Sequence, residues 1–323
     1  MQRRPLLATL CLTAAALAGG PAAAQSYPNR AVRLIVPYGT GGGSDILARQ
    51  IGAELQQAWG QAVAVENKAG ASGNIGSMEV VRAPADGYTL LLQNSTMLTN
   101  LGVQGKLPYD HEKDLTPILL LGVTPIALAA HPSADVSDLK SLVAAARAKP
   151  GGLAYGSCGI GTPQHFAMEL VKQKAGFEAA HAGYKGCVPA VTDVVGGQIP
   201  LAMVSANLLA PYAKAGRLKV VGVTTPRRYA LLPDTPTFEE QGLKPLDFST
   251  WFALMGPAKM PPDVVARIAA DVSRILDKPA VQANLSSAGV EPLRGDAAAL
   301  ARLIREDAAR YVALARAAGI KAE

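Results

Sequence analysis

Apolar positions along the chain switch repeatedly between short strand-like runs and helical spacing. Residues 32–36 form an apolar, β-prone run. After a glycine-rich stretch, Leu47, Ile51 and Leu55 recur every four residues and predict a helix from Ser44 with one buried face. Residues 62–66 and 88–93 read as strands, with a helix through 78–82 between them. A long apolar run, 118–130, contains Pro125, and a second run spans 248–255. These two runs are the expected crossings between two halves of the molecule. Between them the pattern predicts helix 138–148, a short strand before Ser157, a helix from Pro163, and strand 181–184. Helix 188–195, strand 199–204, helix 208–215 and strand 219–224 follow. Helices close the chain at 262–276, near Val281, and at 296–318. Strands alternating with helices predict an α/β protein whose sheets are mostly parallel, with ligands outside the carboxyl ends of the strands.

Two strand–loop–helix units carry candidate chemistry. In the first, Tyr38, Thr40, Gly41, Gly42 and Gly43 lead into a helix with Ser44 as a good N-cap and Asp45 in the first turn. Glycines allow close backbone approach, and first-turn N–H groups lack helical partners, so the unit suits an anion. No Lys follows the glycines, and there is no clean G-x-G-x-x-G. A small carboxylate therefore fits better than a nucleotide phosphate. The second unit repeats the arrangement, with Ser157, Gly159 and Gly161 before Thr162 as N-cap, Pro163 at the favoured N1 position and His165 in the first turn. Two such units about a domain apart predict two lobes that each present a helix N-terminus to a shared cleft. Asn94, Ser95 and Thr96 follow a strand end, where polar loop residues can read a ligand's far end.

The 323 residues suffice for two domains, and 49% of them are apolar. The net charge of +6 is scattered, without aromatic interleaving, so no nucleic-acid partner is expected. Arg3 and Arg4, the apolar residues 6–18 and the small residues 22–24 form a secretory signal, with cleavage expected before Gln25. Its apolar core is too short for a membrane span. Only Cys158 and Cys187 then remain in the exported chain. If consecutive parallel strands are neighbours, their loops emerge side by side, and the oxidising compartment predicts one disulfide.

Several ordered stretches resemble the Bug family, the extracytoplasmic solute receptors of tripartite tricarboxylate transporters. They include Ile35-Val-Pro37 with the run 41–49, Val65-Glu-Asn67, Gly73-Asn-Ile-Gly76, the run 86–91, Leu107-Pro-Tyr-Asp110, Asp114-Leu-Thr-Pro117, Tyr184-Lys-Gly186, Thr250-Trp-Phe252 and Ala318-Gly-Ile320. The likeness runs from about Tyr27 to the C-terminus. It implies a two-lobed periplasmic binding protein of the type II, flytrap-like kind, each lobe a mostly parallel sheet flanked by helices. The expected division is a signal peptide at 1–24, one lobe from 25–124 with 248–323, and a second from 125–247. The resemblance also implies a small carboxylate ligand (an organic acid, dicarboxylate or acidic amino acid) held largely by backbone groups and ordered water, with membrane transporter subunits as partners; no cofactor or metal is expected, and the chain is expected to be a monomer. It matches residues 40–45 to one carboxylate loop and 157–165 to the opposing loop. Met203-Val204-Ser205 departs from the aromatic-Asp-Asn of many relatives, so a relative's ligand does not transfer.

Individual residues keep alternatives. Tyr38 walls the pocket or packs a strand end. Asp45 orients its loop by hydrogen bonds or meets a ligand amine. His165 touches the ligand or supports the loop. Tyr184 and Gly186 are expected to offer backbone contacts, and Ser205 and Asn207 to read the ligand. Trp251 reads as core or hinge packing. No enzyme is expected. The rival reading is a secreted Cys/His hydrolase using Cys158 or Cys187 with His165, which requires a free thiol. A receptor reporting to a membrane sensor is a further alternative.

Overall fold

A computed structural model describes residues 27–148 and 151–321. The expected signal segment and its cleavage site lie outside the described residues. Strands β1 (Val32–Val36), β2 (Val63–Asn67) and β3 (Thr89–Asn94) are parallel to one another. They are linked by helices α1 (Gly43–Trp59) and α2 (Asn74–Val81). Helix α3 (Thr96–Gln104) follows β3 directly, and the 16-residue strand β4 (Leu115–Ala130) comes next. A second set holds α4 (Leu139–Ala148), β5 (Ala154–Ser157), α5 (Pro163–Ala175), β6 (Ala180–Gly183), α6 (Cys187–Val195) and β7 (Leu201–Ser205). It ends with α7 (Ala210–Lys214) and β8 (Lys219–Val223). Strand β9 (Ser249–Pro257) returns to the first set, and helices α8 (Pro262–Leu276), α9 (Pro279–Ser287) and α10 (Ala297–Ala318) close the chain.

The strands line up as β2-β1-β3-β9-β4-β7-β5-β6, with β8 also on β4. The two apolar runs become the antiparallel strands β4 and β9. Strand β4 pairs with β9 over residues 115–125 and with β7 and β8 over 126–130, so one strand serves both halves. Each half keeps a parallel core: β2-β1-β3 in one, and β7-β5-β6 in the other.

Period-two alternation sorts the side chains. Val32, Leu34 and Val36 face a core with Leu47, Ile51 and Leu55 of α1 and Ile268 and Val272 of α8. Ile35 and Leu91 face the opposite core. That core also takes Tyr155, Phe166 and Tyr311, which joins the halves through α3, α5 and α10. Burying side chains of this size contributes about 1.5–3 kcal/mol each. A third cluster fills the space between β4, β7 and α6. Trp251 is 2% exposed and donates from Nε1 to Asp307 Oδ2 at 2.8 Å, in keeping with its reading as packing.

Candidate functional site

The carboxyl ends of β1, β3, β5 and β7 open on one cleft of about 460 Å³. One wall is built by the turn after β1. Tyr38, Thr40, Gly41, Gly42, Gly43, Ser44 and Ile46 line it, with Asn94 and Thr96 beside them. Thr162, Pro163, Gln164, Cys187, Val188, Ser205, Asn207 and Leu208 form the facing wall. Thr124, Thr250 and Phe252 on the two crossing strands complete the lining with Ala288. No lining residue carries a charge.

The first turn is held from behind. Gly42 is the N-cap of α1 in extended conformation, and no side chain caps the helix. Asp45 does not line the cleft. Its Oδ2 accepts from Gly41 N at 2.9 Å and from Arg49 Nε at 3.1 Å. Burial works against its charge, but bonds from Arg49, Gly41 and Asn67 hold its pKa below the usual value. Of its two readings, this geometry is the loop-orienting one. Ser44 Oγ accepts from Asn94 Nδ2 at 3.0 Å, and Asn94 Oδ1 accepts from Thr96 N at 2.8 Å. Tyr38 OH donates to Gln93 Oε1 at 2.6 Å, and burial raises its pKa. A Cβ on Gly43 would lie 3.0 Å from the Phe252 ring, so glycine permits this close approach.

The second loop is tied within itself. Ser157 is fully buried; its Oγ accepts from Gly159 N at 3.2 Å and lies 2.7 Å from His181 Nε2. Gly161 N donates to His165 Nδ1 at 3.2 Å. Thr162 Oγ1 accepts from His165 N at 3.4 Å and donates to Gly159 O at 2.8 Å. Tyr184 OH donates to Asp193 Oδ2 at 2.8 Å, and Gly186 N donates to Cys158 O at 3.0 Å. Ser157, Gly159, Gly161, His165, Tyr184 and Gly186 thus support the wall and are not among its lining residues, and buried Ser95 is also absent from the lining. Of the two readings of His165, this geometry is the loop-supporting one. The lining residues missing from the sequence-based set are Gly39, Ile46, Thr124, Pro163, Gln164, Val188, Leu208, Thr250, Phe252 and Ala288. Gln164 and Val188 are the second residues of α5 and α6, and those helix starts were the available signal; Thr250 and Phe252 arrive through β9, more than 200 positions from the first loop.

Strands β5 and β6 are neighbours, with Ser157 opposite Gly183. Cys158 and Cys187 follow their ends and form a disulfide, with Cα atoms 4.1 Å apart. Neither sulfur is a thiol, so the nucleophile of the hydrolase reading is missing at these cysteines. Among the described residues, no group of three or more His, Cys, Asp or Glu is placed to hold a metal.

His165 and His181 stack with ring centroids 3.7 Å apart. Burial, then the neighbouring His181 and Lys172, lowers the His165 pKa from 6.5 to about 3. Burial lowers that of His181 to about 4, against the pull of Glu169. Both rings are neutral in the folded protein well below the pH at which they protonate in the unfolded chain. The unfolded state therefore binds more protons between about pH 6.5 and pH 4, and stability falls as pH drops through that window. The His181→Gln variant is expected to lose less stability than the wild type between pH 7 and pH 5, measured as urea midpoints. Equal losses would contradict the assignment.

This architecture, with a ligand-sized cleft where two halves meet, defines a two-lobed periplasmic solute-binding protein. Residues 47–320 match the tripartite tricarboxylate transporter family receptor, and the chain belongs to that family. It is 30% identical to the protein BugT of Bordetella pertussis over 303 residues, which covers 93% of each chain. The structure of R. palustris Rpa4515 with adipate superposes with a TM-score of 0.81 at 32% identity, covering 92% of this chain and 100% of that one. MatC from Rhodopseudomonas palustris with bound malate gives 0.76 at 28% identity, covering 89% and 99%. Among the described residues, no helix is long and apolar enough to cross a membrane.

Proposed function

We propose that this receptor binds a small carboxylate in the 460 Å³ cleft and delivers it to a tripartite tricarboxylate-type membrane transporter. The observation that carries the reading is the uncapped N-terminus of α1 opening into a cleft lined by neutral donors. First-turn N–H groups and the helix dipole favour an anion there, and the glycines let it approach the backbone. Thr250 lines the cleft, and its buried hydroxyl has no hydrogen-bond partner within the protein. The ligand contacts are assigned to Tyr38, Thr40–Ser44, the backbone N–H of Asp45, Asn94, Thr96, Thr162, Gln164, Ser205, Asn207 and Thr250. Adipate on Rpa4515 and malate on MatC support the ligand class.

The lobes are residues 25–124 with 248–323, and 125–247, hinged where β4 and β9 cross. Each lobe offers half a site, so ligand shifts the population toward closure. The chain acts as a monomer in the periplasm after signal removal, and binding requires no covalent step. A thermal-shift panel of organic acids against their amides tests the reading. A carboxylate at about 100 times its Kd adds about 2.7 kcal/mol of stability, and the matching amide is expected to add far less. A panel in which no acid raises the melting temperature, or amides match acids, would contradict it.

A further inference from the structure

The wall of the cleft that faces α1 holds hydrogen-bond acceptors that a carboxylate does not satisfy. We propose that they read a hydroxyl on the ligand, so that the receptor selects hydroxy acids over the matching unsubstituted acids and amino acids. The inference rests on the carboxylate reading above and adds a second recognised group, across the cleft from the carboxylate on α1.

Three amide side chains line the cleft: Asn94, Gln164 and Asn207. Asn94 uses both ends, with Nδ2 donating to Ser44 Oγ and Oδ1 accepting from Thr96 N. The other two commit only their nitrogens. Gln164 is 6% exposed, and its Nε2 donates to Ser205 Oγ at 3.2 Å, while its Oε1 meets no donor among the described residues. Asn207 Nδ2 donates to Ala288 O at 3.2 Å, and its buried Oδ1 has no partner. Turning that amide over would set its oxygen against the Ala288 carbonyl, acceptor against acceptor, so the hydrogen bond assigns which end is which. Both amides sit at the end of β7, because Ser205 closes that strand and Asn207 follows two residues later. On β9, Thr250 carries a third unpartnered atom, Oγ1.

A carboxylate is an acceptor only at neutral pH, so it cannot serve Gln164 Oε1 or Asn207 Oδ1. Closing the cleft without a donor leaves these oxygens dry and unpaired, with their desolvation uncompensated. The same wall also offers donors, since Cys187 and Val188 line it at the start of α6, a helix without a side-chain cap. A group that both donates and accepts suits this mixed face, and a hydroxyl does both. An ammonium would donate to the two oxygens, but no lining residue carries a charge to balance it. Asp45 is committed to Gly41 N and Arg49. The uncharged lining therefore disfavours an amine relative to a neutral hydroxyl.

Calorimetric titration of the exported chain at pH 7.5 with matched series tests the selection. The series are propanoate, lactate and alanine; butanoate, 3-hydroxybutanoate and 3-aminobutanoate; and succinate, malate and aspartate, each chiral acid in both hands. In the best-binding series the hydroxy acid is expected to bind about 10- to 100-fold more tightly than the unsubstituted acid, and more tightly than the amino acid. An unsubstituted acid or an amino acid that binds as tightly as the hydroxy acid overturns the selection and leaves the carboxylate reading standing. Failure of every acid overturns both. In the Gln164→Met, Asn207→Ala double variant the ratio of hydroxy-acid to unsubstituted-acid affinity is expected to fall toward one, because the unpaired acceptors that create it are gone. A ratio that persists in the folded double variant would contradict the role given to these amides.

Discussion

The Gly42→Val variant is expected to lose carboxylate binding by about 100-fold or more while melting within a few degrees of the wild type. Three facts separate binding from folding at this position. Gly42 is exposed, lines the cleft and has extended backbone geometry, with φ −80° and ψ 168°, which valine adopts readily. A Cβ built there meets only Gly39 O, at 4.0 Å, so the folded protein has room for the side chain. A surface substitution of this kind changes stability by about 0.5 kcal/mol or less. The ligand has no such room. The branched side chain would hold a carboxylate away from the N–H groups of Gly43, Ser44 and Asp45. Losing two hydrogen bonds to a charged group removes roughly 3 kcal/mol or more, which is the expected 100-fold. Its neighbours are poorer probes: Gly41 has φ +80°, and a Cβ on Gly43 would press on Phe252. A folded Gly42→Val protein with unchanged affinity in calorimetric titration would remove this loop from the binding site.

Replacing both Cys158 and Cys187 by Ser is the second large expected effect. The bridge spans a sequence separation of 29 residues, for which the chain-entropy model gives about 3–4 kcal/mol. For a domain of this size that corresponds to a melting temperature lower by roughly 5–10 °C. Affinity is expected to fall with it. Cys187 lines the cleft, while Cys158 accepts the Gly186 N–H and sits in the loop before α5. Without the bridge, closing on a ligand must also order this wall, which adds an entropic penalty to binding. Scanning calorimetry and titration of the double variant check both parts. An unchanged melting temperature would show that the bridge constrains neither the unfolded chain nor the wall.

Most of the architecture was legible because the periodic signals were local. The four-residue recurrence of Leu47, Ile51 and Leu55 marked α1, and all three are buried. The apolar runs at 118–130 and 248–255 became the crossing strands β4 and β9. Helix α3 was hidden because β3 passes into it without a turn. Ser95 is already helical, with φ −59° and ψ −12°, so residues 94–96 resembled a polar loop.

The site was legible in its glycine turns and much less so in its side chains. A hydroxyl in a glycine loop points either to a ligand or to its own backbone, and sequence does not distinguish the two. Ser44 and Thr40 line the cleft, whereas Ser157 is buried against His181. The stack of His165 on His181 and the approach of Phe252 to Gly43 depend on contacts between distant segments. Thr250 and Phe252 face the cleft while Ser249 and Trp251 line a separate cavity of about 650 Å³, an alternation set by the register of β9.

A crystal structure grown with the acid that most raises the melting temperature tests the central claim most directly. The account predicts that a carboxylate oxygen lies within about 3.2 Å of the backbone nitrogens of Ser44 and Asp45, with Thr250 Oγ1 also in contact. An acid bound in the cavity beside Trp251, or in the cleft with its carboxylate turned away from α1, would contradict it.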